Sequence, residues 1–324
     1  MKALVFDRFG EPEVLTLREI PEPRPQDGQI LVRMKAIGLN FADVYRRKGH
    51  YHLVGEAPYI LGYEGAGVVE RVEGDSGGLQ PGDRVAFCDV PHANAELVAV
   101  PMEKAIPLPP DITFEQAASV LLQGLTAHYL VHDSYRVRPG DEVLVHAAAG
   151  GVGQLLCQLA KGRGARVIGL TSSESKREKA LEAGADEVLL YGESGHWADA
   201  AKAWSSGGHG VHAAYDSVGV TLIDSFRAVR TRGTVVFFGM AGGDPQPIDP
   251  RMLMDESKTL TGGDLWNHLT TRAERIERSE ALFGALRAGT LKLAPPACFA
   301  LGEGAKAHRL IESRASSGKI LLIP

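Results

Sequence analysis

Gly150, Gly151 and Gly153 stand between a short apolar run, Val143–Val145, and a stretch where Val152, Leu155, Leu156 and Leu159 recur at helical spacing. The glycines therefore mark a strand-to-helix turn. Without a Cβ the backbone there turns tightly and can approach a ligand closely. The N–H groups and positive dipole end of the following helix favour a phosphate. The chemistry suggested is dinucleotide binding. Ala148-Ala149-Gly150-Gly151-Val152-Gly153 is only a loose form of the Gly-x-Gly-x-x-Gly fingerprint, and a turn that merely packs a helix on a strand would read the same way. The next apolar run closes on Thr171-Ser172-Ser173-Glu174-Ser175-Lys176. An acid at such a position holds a ribose 2′-OH. Two hydroxyls and a lysine suit a 2′-phosphate instead. Glu174 is the contrary residue, unless it serves the start of the next helix. Together these residues favour NADPH over NADH.

The elements that must hold these residues alternate from about residue 120 onward. Strands are expected at 143–146, 165–170, 187–190, 211–216 and 234–238, with an edge strand at 258–261. Helices are expected at 152–162, 176–183 and 222–229. Alternation of this kind means βαβ units and a doubly wound parallel sheet. Residues 1–120 read differently. Short β runs at 2–6, 29–36, 65–72, 84–87 and 95–100 are separated by Pro and Gly clusters, as in a partly open β-barrel. The segment 265–324 starts helical and ends in a strand, Lys319–Ile323, expected to return to the first domain. The expected division is 1–121 with 265–324, and 122–264.

Bulk properties exclude several classes. A net charge of −5 provides no basic footprint for nucleic acid. No apolar stretch has the length of a membrane helix, and the start, MKALVFDRFG, lacks signal-peptide design. Cys88, Cys157 and Cys298 lie far apart and imply no disulfide framework, so a reducing cytoplasm is expected. Cys157 reads as packing on the first helix of the α/β block.

Several further segments sharpen the reading. They are Gly10-Glu11-Pro12-Glu13-Val14-Leu15, Gly38-Leu39-Asn40-Phe41-Ala42-Asp43-Val44-Tyr45, Gly62-Tyr63-Glu64-Gly65-Ala66-Gly67 and Gln123-Gly124-Leu125-Thr126-Ala127. They continue with the His146–Gly153 stretch, Tyr215-Asp216-Ser217-Val218-Gly219, Glu312-Ser313-Arg314-Ala315 and Gly318-Lys319. In this order and spacing, along essentially the whole chain, the sequence resembles the NADPH-dependent quinone oxidoreductases, the ζ-crystallin-like, zinc-free branch of the medium-chain dehydrogenase/reductase superfamily.

That resemblance implies a Rossmann-type sheet inserted into a GroES-like domain that binds the substrate. It implies a homodimer formed through edge strands, here 258–261, where exposed edges readily pair. It also implies that Gly150, Gly151, Val152 and Gly153 take the NADPH pyrophosphate. Ser173, Lys176 and Tyr191 would surround the 2′-phosphate. Asn40, Tyr45 and Thr126 would lie near the nicotinamide, with Ser217, Phe238, Gly239 and Lys319 lining the remaining wall. Zinc relatives place a Cys where this chain has Asn40 and a His where it has Tyr63, so no metal is expected. His50 and His52, if on a strand, would share a face. His128 and His132 have the i, i+4 spacing of a metal pair, and His92 is a further candidate, but no partner set accompanies any of them.

A nicotinamide site without a metal suits acceptors that take hydride easily, such as quinones and conjugated enones. Tyr45, Tyr51 and Asn40 are the candidates to hydrogen-bond a developing oxyanion, although the two tyrosines could equally be pocket walls. No general acid stands out. An enone or enoyl-thioester reductase, or a non-catalytic NADPH-binding or RNA-binding protein, are the competing readings.

Overall fold

The computed structural model describes residues 1–75, 77–192, 196–313, 316 and 318–324. Of the Glu312-Ser313-Arg314-Ala315 segment, Arg314 and Ala315 lie outside the described residues. The chain divides into two compact units. One comprises Met1–Leu122, Leu269–Gly284 and Leu293–Pro324, and the other Gln123–His268 and Ala285–Lys292.

In the first unit the strands are β1 (Lys2–Phe6), β2 (Thr16–Glu19), β3 (Gln29–Leu39), β4 (Tyr59–Ile60), β5 (Glu64–Glu73), β6 (Arg84–Cys88), β7 (Leu97–Pro101) and β8 (Ile106–Pro107). Helix α1 (Phe41–Arg47) follows β3, and α2 (Phe114–Tyr129) follows β8. The middle of β3 shows the period-2 pattern of a strand with one dry face: Val32, Met34 and Ala36 are buried while Arg33 and Lys35 are exposed. A core of Leu4, Phe6, Ile30, Val32, Ile37, Val85 and Phe87 closes over that face.

The second unit carries β9 (Glu142–Val145), β10 (Arg166–Thr171), β11 (Glu187–Leu190), β12 (Val211–Asp216), β13 (Val229–Phe237) and β14 (Thr259–Gly262). Between them run α3 (Gly151–Gly162), α4 (Glu174–Glu182), α5 (Trp197–Trp204), α6 (Leu222–Ala228) and α7 (Pro250–Asp255). All neighbours are parallel, in the order β11-β10-β9-β12-β13-β14. This is the doubly wound order, which reverses between β9 and β12. Every residue of β9 is buried, which is why it reads as an unbroken apolar run rather than an alternating one. The expected edge strand is β14, at one end of this sheet.

Helices α8 (Arg272–Arg287) and α9 (Gly304–Glu312) and strands β15 (Ala297–Ala300) and β16 (Ile320–Ile323) complete the chain. Strand β16 lies between β15 and β3, pairing Ile320 with Leu39 and Leu321 with Gly38. The first unit's larger sheet therefore runs β15-β16-β3-β5-β6-β8, with β7 also on β3.

The elements absent from the sequence reading have weak patterns. All four residues of β2 are exposed, so pairing with β1 holds the strand without any apolar alternation. Helix α5 buries mainly Trp197, Ala198 and Ala201, and alanine carries little periodic signal. His50 and His52 lie in an irregular segment rather than on a strand, so the shared face expected for them does not exist. The paired strand β13 starts five residues before the expected one, at Val229.

Candidate functional site

In the second unit the functional side chains gather at the carboxyl ends of the parallel strands, where a doubly wound sheet binds its ligands. After β9, Ala147 adopts a left-handed φ of 48°. Its carbonyl accepts from Gly150 N–H at 2.8 Å, and Gly150 leads α3 in extended backbone. A Cβ on Gly153 would run into the Ala147 backbone carbonyl, so that position requires glycine for closeness, while one on Gly151 would displace the Gln123 side-chain amide. The first-turn N–H groups of α3 have no earlier helical turn to bond, which leaves them for an anion.

At the end of β10, Lys176 Nζ donates to Ser172 Oγ at 3.3 Å and Ser173 Oγ lies 3.2 Å from Ser175 Oγ. Glu174 is drawn to Arg177 at 2.8 Å, so the contrary charge is compensated locally. The three hydroxyls and the ammonium form a polar cluster of the kind a phosphate dianion needs. Ser217, Phe238 and Gly239 are also brought together. Phe238 N–H donates to the Asp216 carbonyl at 2.9 Å, Ala241 N–H to Ser217 O at 3.0 Å, and Gly239 packs on Ser217. Thr126 is buried in α2. The Tyr191 hydroxyl accepts from Ala147 N–H at 3.2 Å and lies 3.0 Å from His146 Nδ1, tying the end of β11 to the turn after β9.

Beneath these turns runs a chain of buried polar groups that the sequence reading did not single out. His146 Nε2 is 2.9 Å from Ser225 Oγ, which is 2.7 Å from Asp216 Oδ2. Asp216 also accepts from Thr221 Oγ1 and from the N–H groups of Val218 and Gly219 at 2.8–3.0 Å. Burial holds His146 below its ordinary range, although the Asp216 charge opposes this. Burial alone would raise Asp216; His146, the Ser225 hydroxyl and the two N–H groups outweigh it and hold the carboxyl down. The available signal was a polar residue closing each buried strand: His146 after Val143–Val145, and Asp216 after Ala213–Tyr215.

In the first unit the cluster centres on Glu64, at the start of β5. Its Oε1 accepts from Leu122 N–H at 2.7 Å, and its Oε2 from Asn40 Nδ2 at 2.9 Å and Lys319 Nζ at 2.6 Å. Lys319 Nζ donates a second bond to Asn40 Oδ1 at 2.8 Å. A Cβ on Gly38 would overlap Glu64 Oε2, so glycine at 38 lets the carboxylate settle against β3. The Asn40 amide is engaged on both sides, because Nδ2 serves Glu64 and the Gly38 carbonyl while Oδ1 serves Lys319. Asp43 accepts from Asn40 N–H at 2.9 Å, and burial raises its carboxyl although Arg46 opposes. Arg46 lies 3.7 Å over the Tyr63 ring and 4.9 Å over the Tyr51 ring, and donates to the His52 carbonyl. Tyr45 packs edge-on to Phe41 in α1. The sequence reading set Asn40, Tyr45 and Tyr51 near the nicotinamide and Lys319 on the remaining wall; the structure joins Asn40 and Lys319 through Glu64, a carboxylate that reading did not single out.

The donor set does not fit zinc. Asn40 offers an amide whose oxygen already accepts from an ammonium, Tyr63 is packed under the Arg46 guanidinium, and the Lys319 cation beside Glu64 would repel a second cation. His128 and His132 stack on each other with ring centres 4.0 Å apart, and among the described residues no group of three or more His, Cys, Asp or Glu could hold a metal. All three cysteines are free, and burial pushes the Cys88 and Cys157 thiols up to about 12, which leaves both inert.

Comparison with known proteins agrees with this organisation. Residues 26–137 match the alcohol dehydrogenase GroES-like domain, and 151–277 match the zinc-binding dehydrogenase family. The chain is 39% identical over 324 residues to the quinone oxidoreductase of Salmonella typhimurium, covering 98% of each chain. It is 37% identical over 332 residues to a 2-haloacrylate reductase of a Burkholderia species, covering 99% of this chain and 98% of the relative. The crystal structure of Escherichia coli quinone oxidoreductase complexed with NADPH superposes with a TM-score of 0.95 at 37% identity over the full length of both chains. With the parallel sheet, the glycine turn and these full-length likenesses together, the chain belongs to the quinone oxidoreductase family of the medium-chain dehydrogenase/reductases.

Proposed function

We propose that this protein is an NADPH-dependent quinone reductase working without a metal. The Asn40–Glu64–Lys319 cluster carries the reading. A site holding a lysine cation where related dehydrogenases hold a metal ligand set has no Lewis acid with which to activate a simple ketone. Its acceptor must already be able to delocalise charge, as quinones and conjugated enones do. When bound, NADPH supplies the hydride. The chain's part is to bind, orient and shield.

In this reading Gly150, Gly151, Val152 and Gly153 hold the pyrophosphate, and Ser173 and Lys176 hold the 2′-phosphate. Tyr191 stands beside them as a brace of the turn. Thr126, Ser217, Phe238 and Gly239 line the nicotinamide half. Tyr45 and Tyr51 are the residues assigned to the developing oxyanion. Asn40 holds Lys319 rather than the substrate, because its amide hydrogens are already used. The segments 1–121 and 265–324 form the substrate domain, and 122–264 the NADPH domain. Three free cysteines support a reducing, cytoplasmic setting. No helix among the described residues is long and apolar enough to cross a membrane. The exposed edge β14 supports a homodimer built through it, and sedimentation as a monomer would remove that part of the proposal.

The deciding assay follows NADPH and NADH oxidation with 1,4-benzoquinone, 9,10-phenanthrenequinone and a simple enone, with and without EDTA. Quinone-dependent NADPH consumption that ignores the chelator is the expected result. Loss of activity with EDTA, or NADPH binding without turnover on any acceptor, would refute the reading. A 2-chloroacrylate arm tests the second reading, conjugated-alkene reduction, suggested by the haloacrylate reductase relative.

A further inference from the structure

We propose that His146 is a positioning residue of the cofactor site, the midpoint of a one-way hydrogen-bond chain that sets both the turn before α3 and the turn after β12. The proposal rests on the dinucleotide reading of those turns.

The direction of every bond in the chain follows from valence. Asp216, held as a carboxylate, can only accept. Ser225 has one hydroxyl hydrogen and spends it on Asp216 Oδ2 at 2.7 Å. Ser225 Oγ must then accept from His146 at 2.9 Å, so Nε2 carries the proton. A neutral imidazole protonated at Nε2 has a bare Nδ1. The Tyr191 hydroxyl, 3.0 Å away, therefore donates to Nδ1 and in turn accepts the Ala147 N–H at 3.2 Å. Solvent cannot scramble this order, because His146, Asp216 and Ser225 are all fully buried. The Trp197 ring stands edge-on to the imidazole at 5.0 Å and fixes its plane.

Each end of the chain holds a strained or close turn. At one end Tyr191 pins the N–H of Ala147, whose left-handed backbone a residue with a Cβ adopts only when held there. The Ala147 carbonyl then closes on Gly150 and receives Gly153. At the other end Asp216 ties down the N–H groups of Val218 and Gly219, and the 217–219 turn is zipped to Ala241 and Gly242. One imidazole thus joins the ends of β9, β11 and β12. The turn assigned to the pyrophosphate and the wall assigned to the nicotinamide are held at one spacing.

The experiment uses the full chain and three variants: His146→Leu, His146→Gln and Tyr191→Phe. Dissociation constants for NADPH and NADH are read by fluorescence titration, KM and kcat by turnover with 1,4-benzoquinone, and thermal midpoints alongside. His146→Leu removes two hydrogen bonds of the chain and should weaken NADPH binding and raise its KM about tenfold or more, with kcat changed far less. His146→Gln, with Nε2 toward Ser225 and Oε1 toward Tyr191, should restore binding to within about threefold of wild type. Nitrogen-15 spectra of the wild-type imidazole should show a neutral ring protonated at Nε2. A lowered thermal midpoint with unchanged NADPH affinity in His146→Leu overturns the proposal, as does a proton on Nδ1. If His146→Leu does not fold, Tyr191→Phe cuts the chain at a half-buried ring, and unchanged affinity there overturns it equally. A wild type that binds neither dinucleotide would take down the cofactor reading and the positioning role together. A wild type that binds while the variants bind equally well would take down the positioning role alone.

Discussion

Replacing Lys319 by Met should cost stability that a second, compensating change returns. Lys319 and Glu64 are both buried, and the ammonium meets Oε2 at 2.6 Å. Removing one partner of a buried ion pair costs about 3–5 kcal/mol, because the other charge stays behind uncompensated. Glu64 keeps two donors, Leu122 N–H and Asn40 Nδ2, so the loss belongs at the lower end, about 3 kcal/mol. For a unit of this size, that corresponds to a fall in Tm of about 6–12 °C. Met preserves the length and apolar stem of lysine, so little of the fall can be assigned to packing. In the double variant Glu64→Gln with Lys319→Met no charge is stranded, and the amide can still accept from Leu122 N–H. More than half of the lost stability should return. The assay is thermal and urea unfolding of the four proteins, treated as a double-mutant cycle. If Lys319→Met lies within about 1 kcal/mol of wild type, or if the double variant is no better than the single one, the ion pair does not organise the cluster.

The remaining expectations are briefer. Lys176→Glu should lower the preference for NADPH over NADH by about 10–100-fold in kcat/KM ratios, the value of charged hydrogen bonds to the 2′-phosphate, with NADH turnover little changed. Gly153→Ala should destabilise the second unit by about 1–3 kcal/mol through overpacking on the Ala147 carbonyl and weaken dinucleotide binding, read by unfolding and fluorescence titration. His308, buried and placed 3.0 Å from Arg47 Nη1, is pushed down to about 3 by burial first and by the arginine second. Its folded pKa lies below the unfolded one, so its contribution is complete above about pH 6.5 and is lost as pH falls toward 3. In His308→Gln, whose amide oxygen can still accept from Arg47, the slope of unfolding free energy between pH 6 and 4 should fall by about 1.4 kcal/mol per pH unit.

Much of the second unit was legible because both of its signals are strong. Buried parallel strands make unbroken apolar runs, as in Val143–Val145, and glycines clustered between such a run and a helix mark a tight turn that a side chain would obstruct. The polar cluster at Ser172, Ser173 and Lys176 could be read for the same reason, since it closes a strand. The first unit was less legible. Strand β2 has no buried residue, and α1 is a seven-residue helix whose Asp43, Arg46 and Arg47 are buried charges, so hydrophobic patterning points away from the truth there. The Glu64 hub is invisible for a deeper reason. Its partners come from positions 38, 40, 122 and 319, and only the antiparallel pairing of β16 with β3 brings Lys319 beside Asn40. The bracing bonds of Tyr191 to His146 and Ala147 were not foreseen, because a tyrosine after a strand looks alike whether or not it also braces a neighbouring turn.

Strand β16 has a consequence for the order in which the molecule can be made. It is an interior strand, flanked by β15 and β3, and Lys319 immediately precedes it. On a ribosome, residues 123–268 hold all six strands of the parallel sheet and can begin to fold as they emerge. Residues 1–122 must wait for residues 319–323 before β3 gains β16 as its neighbour and Glu64 gains its cation. A chain released before residue 319 would therefore hold a finished α/β sheet but an unfinished barrel, with Glu64 lacking its cation. Such products should be the natural prey of chaperones and proteases, since an unpaired β3 edge and the apolar surface it leaves uncovered mark a chain as unfinished.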